Sequence, residues 1–228
     1  MRAVLWDMDG TLVDSEKLWD ISLAALYERH GGELTPEVRT ALVGSSAENT
    51  IRTVFADLGL DPDPAAMAEA DRWLHDYTAE LFEQGLMWRD GARELLESLA
   101  AEDIPMALVT NTQRALTERA LRTIGREFFA ATVCGDEVAR GKPAPDPYRR
   151  AAELLDLPAA ACLAVEDSVT GVAAAESAGC PVLVVPHHVE VPPGPLRFHI
   201  GSLAEVMVDD LRRIHARLHA RVHRNGSG

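Results

Sequence analysis

The chain has 228 residues, with 22 Lys and Arg against 36 Asp and Glu, a formal charge of −14, and 47% apolar residues. That composition belongs to a globular chain rather than a disordered one, and a chain this long buries roughly 70% of its unfolded surface without needing disulfides. A strongly acidic chain with no basic stripe excludes nucleic acid and anionic membrane as partners, because each phosphate contact there needs a local Lys or Arg.

The first apolar run, Ala3 to Trp6, stops at Asp7, Asp9 and Gly10, as a buried parallel strand does at its carboxyl end. From Glu16 to Trp88 the pattern is helical throughout: Leu18 to His30, Pro36 to Leu42, Ala47 to Leu58 and Pro64 to Gln84. Strand and helix then alternate. Strands are expected over Ile104–Val109, Ala130–Cys134, Ala161–Val165 and Pro181–Val185, with helices over Gly91–Ala101, Arg114–Ile124, Pro147–Leu155 and Ser168–Ala178. Gly179 suits the position after the last of these. The expectation is a doubly wound, Rossmann-like parallel sheet formed by residues 1–15 and 89–220, interrupted by a helical bundle over residues 16–88. Residues 221–228 read as a polar, frayed tail.

Cys134, Cys162 and Cys180 lie far apart in apolar runs and read as core thiols of a reducing cytoplasm. The opening residues lead into a strand without a charged leader, and no stretch reaches the ~18 apolar residues of a membrane span, so a cytoplasmic location is expected. A monomer or weak dimer is the expected state.

In open α/β sheets ligands sit beyond the carboxyl ends of the strands. The strand ends here carry Asp7 and Asp9, Thr110 and Asn111, and Glu166 and Asp167; the loop before the fourth major strand adds Lys142. Acids crowded at one edge repel unless a cation neutralises them, and oxygen-only ligands suit Mg²⁺. A cation, a lysine and a hydroxyl facing one another are what a phosphoryl group requires, and a carboxylate there can attack phosphorus. The residues therefore suggest covalent phosphoryl transfer on a small phosphorylated metabolite. Asp7 is the nucleophile, Asp9 protonates the leaving oxygen and later activates water, and Thr110, Asn111 and Lys142 hold the phosphate.

The segments Asp7-Met8-Asp9-Gly10-Thr11-Leu12-Val13-Asp14-Ser15, Val109-Thr110-Asn111, Gly141-Lys142-Pro143-Ala144-Pro145-Asp146-Pro147-Tyr148 and Val165-Glu166-Asp167-Ser168, in that order, resemble the four motifs of the haloacid dehalogenase (HAD) superfamily from Arg2 to about Pro186. The helical insertion is similar to the cap of its β-phosphoglucomutase-like subfamily. The resemblance implies Mg²⁺ held by the Asp7 side chain, the Asp9 backbone carbonyl and Asp167, with Glu166 in support. The mutases of that subfamily carry a histidine where Trp19 stands, an arginine near Ala47 and a lysine near Trp73. Their absence, and the stretch Asp14-Ser15-Glu16-Lys17-Leu18-Trp19, favour a sugar- or hexitol-phosphate phosphatase over a mutase.

Plainer readings exist. As a calcium loop, Asp7-x-Asp9-Gly10 has its glycine two positions early and Leu18 where the twelfth-position Glu belongs. Lys142 can be a solvated lysine, Glu166 and Asp167 the first turn of a helix, and Asn111 a cap for the helix that follows. Trp19 and Trp73 are expected to pack rather than touch substrate. Ser45, Asn49 and Arg52, after Gly44, are candidate substrate selectors. His215, His219 and His223 have a zinc-compatible spacing, but with no nearby acid or Cys they are expected on a solvated helix face. A metal-free dehalogenase is disfavoured by Asp9, and a receiver-type phospho-acceptor by the chain's length and by the acceptor lying on the first strand.

Overall fold

The computed structural model describes residues 1–42, 45, 47–187 and 189–225, without the side chains of residues 16, 47, 48 and 222–225. It divides into two compact units, Met1–Asp14 with Met87–Gly228, and Ser15–Leu86.

The first unit is built on six strands: β1 (Ala3–Trp6), β4 (Met106–Val109), β5 (Ala131–Val133), β6 (Cys162–Glu166), β7 (Val182–Val184) and β8 (Arg197–His199). They lie in the order β5-β4-β1-β6-β7-β8, and every pairing is parallel. Parallel strands buried on both faces need apolar residues at consecutive positions. Accordingly β1, β4, β6 and β7 are buried along their whole length. Helices α5 (Ala92–Ala101), α6 (Arg114–Ile124), α7 (Asp146–Leu154) and α8 (Val169–Ala178) provide the crossovers. α8 begins on Ser168, whose hydroxyl accepts from the Gly171 N–H at 3.1 Å, and ends on Gly179 at φ +95°, a left-handed cap that glycine adopts without strain.

Two features lie outside the expected pattern. Val13–Asp14 (β2) and Met87–Trp88 (β3), the segments by which the chain leaves this unit and re-enters it, pair antiparallel. Two-residue strands carry no periodicity, so the pattern gives no warning of them. The edge strand β8 is also unannounced, being half exposed and only three residues long.

The last helix, α9 (Val208–Asn225), extends into the segment read as a tail. Its core-facing stripe is Leu211, Ile214, His215 and Leu218. His215 is therefore buried, not solvated: its Nε2 meets the Ala160 carbonyl at 2.9 Å, and burial lowers its pKa. The ring of His219 stacks on it at 5.8 Å. The His223 side chain, like Gly44, lies outside the described residues.

The three cysteines are buried and free, and burial pushes the Cys134 and Cys162 thiols up to about 11, which keeps them unreactive. No described helix is long and apolar enough to cross a membrane.

The second unit is helical: α1 (Glu16–Arg29), α2 (Pro36–Leu42), α3 (Ala47–Asp57) and α4 (Pro64–Glu83). Leu23, Leu26, Tyr27, Leu42, Ile51, Val54, Phe55, Ala70 and Leu74 form one apolar cluster to which all four helices contribute. Trp19 and Trp73 pack against it. Trp19 meets Phe82 edge-on at 6.5 Å, and Trp73 stacks on Tyr77 at 5.1 Å. Asn49 Nδ2 donates to Ser45 Oγ at 2.8 Å, and Arg52 is exposed.

Candidate active site

The strand order reverses between β1 and β6, which places a ligand crevice beyond their carboxyl ends. Trp6 is level with Val165 on one side and Leu108 on the other, so the residues just beyond emerge together. Asp7 extends the ladder by donating its N–H to the Val165 carbonyl at 3.1 Å.

Lys142 is the hub. Its buried Nζ donates to Asp7 Oδ1 at 2.5 Å and to Glu166 Oε1 at 2.7 Å. This excludes the solvated-lysine reading. Glu166 is fully buried, and its Oε1 also accepts the Tyr148 phenol at 2.6 Å. Its Oε2 accepts the Ser168 hydroxyl at 3.3 Å.

Asp7, Glu166 and Asp167 each offer a carboxylate oxygen within 4.8 Å of the others. With all three carboxylates ionised, one ammonium leaves two negative charges in a buried site, the deficit a divalent cation makes up; all the donors are hard oxygens. Gly10 belongs to the same cradle: at φ +82°, a Cβ there would lie 2.1 Å from Asp167 Oδ2, so only glycine lets that carboxylate sit against the Asp9–Gly10 turn.

Burial raises the Asp7 carboxyl, Lys142 pulls it down, and Glu166 and Asp9 push it back up, leaving it at about 7. Burial acts to lower the Lys142 ammonium, but Asp7 and Glu166 outweigh it and hold the group charged above its ordinary range. Burial, with Glu166 alongside, keeps the Tyr148 phenol well above its usual value, so it stays a donor.

The β4 end carries two hydroxyls and an amide. Thr110 is buried, and its hydroxyl faces Asp9 Oδ2 at 3.2 Å. Asn111 does not cap α6, whose first turn follows Gln113. Its Oδ1 accepts the Lys142 N–H at 2.8 Å and its Nδ2 donates to the Lys142 carbonyl at 3.1 Å. Asn111 thus clips the lysine loop to the β4 end.

The sequence pattern misses Thr112, and it places Tyr148 at the end of the third motif without giving it a role. Thr112 Oγ1 donates to Asp9 Oδ2 at 2.8 Å. Tyr148, in the first turn of α7 six residues after Lys142, reads as apolar helix in the sequence; only the fold brings its hydroxyl to Glu166.

A buried lysine bridging two strand-end acids lies at the switch point of a Rossmann-like α/β core, where such folds bind their ligands. Residues 4–185 match the haloacid dehalogenase-like hydrolases, and the chain belongs to that family. A phosphorylated carbohydrates phosphatase from Thermotoga maritima is 31% identical over 180 residues, 78% of this chain and 82% of that protein. Hexitol phosphatase A from Escherichia coli is 34% identical over 185 residues, 81% and 82% of the two chains. The crystal structure of CbbY from Rhodobacter sphaeroides in complex with phosphate superimposes with a TM-score of 0.83 at 29% identity, covering 93% of this chain and 99% of that one.

Proposed function

We propose that this protein is a Mg²⁺-dependent phosphatase that hydrolyses small phosphomonoesters, sugar or polyol phosphates foremost, through an aspartyl-phosphate on Asp7. That the chain is a phosphoric monoester hydrolase follows from its family and from the phosphatases related to it. The observation carrying the finer reading is Lys142 Nζ held between Asp7 and Glu166 beside the Asp167 carboxylate.

Asp7 and Asp167, with the Asp9 carbonyl, are the residues that would hold Mg²⁺, and Glu166 serves them through Lys142. Bound there, the ion supplies positive charge against the phosphoryl oxygens and the acids. In the first step an Asp7 carboxylate oxygen bonds to phosphorus as the ester oxygen leaves, and that oxygen takes a proton from the Asp9 carboxyl. In the second step water attacks phosphorus, gives its proton to the Asp9 carboxylate, and displaces Asp7 as a free carboxylate. Lys142, fixed by Asp7 and Glu166, and the Thr110 hydroxyl, turning from Asp9, hold the phosphoryl oxygens as charge develops.

A panel of phosphate esters with MgCl₂ tests this. Phosphate release in excess of an Asp7→Asn control supports hydrolysis. Interconversion of glucose 1-phosphate and glucose 6-phosphate that needs a bisphosphate primer would replace it with mutase chemistry, and no release above the control from any ester defeats it.

A further inference from the structure

We propose that Thr112 is a positioning residue that holds the Asp9 carboxyl in place for proton transfer to the leaving oxygen. This rests on the acid role given to Asp9 above.

Asp9 Oδ2 receives two hydroxyls from the β4 end, Thr112 Oγ1 at 2.8 Å and Thr110 Oγ1 at 3.2 Å. The contacts span 103 and 101 residues of sequence, so they tie the β1 loop to the β4 loop. The two donors are not equivalent. A threonine hydroxyl has one proton. When the Thr110 proton turns to a phosphoryl oxygen, as the phosphate-holding role given to Thr110 above entails, Asp9 loses that bond. Thr112 then remains as the hydroxyl tether on Oδ2.

Thr112 is built to keep its place. Its N–H donates to Thr110 Oγ1 at 3.0 Å, and its carbonyl accepts the Gly135 N–H at 3.1 Å and the Thr117 hydroxyl at 3.4 Å. Gly135 packs so close to this turn that a Cβ on it would lie 2.1 Å from the Asn111 carbonyl oxygen. With the backbone pinned on both sides, the hydroxyl is presented to Asp9 from a fixed point. An acid fixed by one oxygen has its carboxyl plane fixed, and proton transfer depends on that geometry.

The consequence is selective. An acid matters most when the leaving oxygen is basic and least when it departs readily unprotonated. The assay is therefore kcat/KM over aryl phosphates of one shape, from p-nitrophenyl to phenyl to p-methoxyphenyl phosphate, with Mg²⁺. Because kcat/KM reports only steps through the first irreversible one, the later attack of water does not enter. Thr112→Val is expected to lower kcat/KM for phenyl and p-methoxyphenyl phosphate by about tenfold to a hundredfold, the worth of one hydrogen bond to an acceptor that becomes charged as it gives up its proton. Turnover of p-nitrophenyl phosphate should fall by less than about threefold, and Thr112→Ser should restore the wild-type slope. Thr112→Ala serves as a second variant should Val disturb folding, and thermal unfolding checks each.

Equal losses on all esters, or no loss, overturn the proposal when Asp9→Asn steepens the slope as an acid's removal must. If Asp9→Asn itself leaves the slope unchanged while the wild type turns over, the acid assignment fails first, and this inference with it.

Discussion

Gly171 sits in the first turn of α8, where helix propensity alone says that Ala is worth up to about 1 kcal/mol more than Gly. The site argues the opposite sign. A Cβ on Gly171 would lie 2.0 Å from both carboxylate oxygens of Glu166 and 2.1 Å from its Cδ. A flexible side chain would step aside cheaply, but Glu166 is fully buried and its Oε1 holds Lys142 Nζ and the Tyr148 hydroxyl at 2.7 and 2.6 Å. Retreat breaks both bonds, each worth roughly 1.5–3 kcal/mol because the acceptor is charged. Set against a gain of about 1 kcal/mol, Gly171→Ala should destabilise by roughly 2–5 kcal/mol. At about 2–4 °C per kcal/mol for a chain of this size, the midpoint falls by roughly 4–20 °C. Thermal unfolding by circular dichroism reads that, and phosphatase assays on the same samples should show activity lost along with Lys142's placement. An unchanged or higher midpoint with wild-type turnover refutes the claim that Glu166 is locked.

Tyr148→Phe removes one donor from the same carboxylate and should cost about 1.5–3 kcal/mol in urea unfolding; a neutral result would mean that Lys142 alone satisfies Oε1. Because Asp7, Glu166 and Asp167 leave two uncompensated charges, Mg²⁺ should raise the melting midpoint, by about 2.7 kcal/mol of stability at a hundredfold excess over its Kd. Asp167→Asn should abolish that rise, and an equal rise in both proteins would place the ion elsewhere. Burial lowers the His215 pKa, so the native state binds fewer protons than the unfolded one once pH drops below about 6.5. The stability His215 contributes is full above that pH and is lost as pH falls toward its folded pKa. His215→Leu should flatten the acid side of a midpoint-against-pH curve, and an unaltered slope contradicts the assignment.

The site was legible where chemistry sits on strand ends, and less so where it sits on what holds them. Apolar runs of four or five residues that stop at Asp7, Thr110 and Glu166 announce both strands and crevice, because a parallel strand buried on two faces leaves little choice of sequence. Asn111 shows the limit: an asparagine before a helix reads as a cap or a phosphate ligand, and which backbone it actually clips depends on a lysine loop 31 residues away. Thr112 and Tyr148 had no role assigned for the same reason, since a hydroxyl among helical and apolar residues shows its partner only once β1, β4 and β6 are side by side. His215 misled through its type; a histidine with one carbonyl in reach is a tolerable core residue.

Acyl phosphates are reduced by borohydride, which turns the modified aspartate into homoserine. Enzyme turning over p-nitrophenyl phosphate with Mg²⁺, quenched with borohydride and mapped by peptide mass spectrometry, should carry homoserine at position 7 only when ester is present. Homoserine at any other aspartate, or none at position 7 while phosphate is being released, contradicts the account.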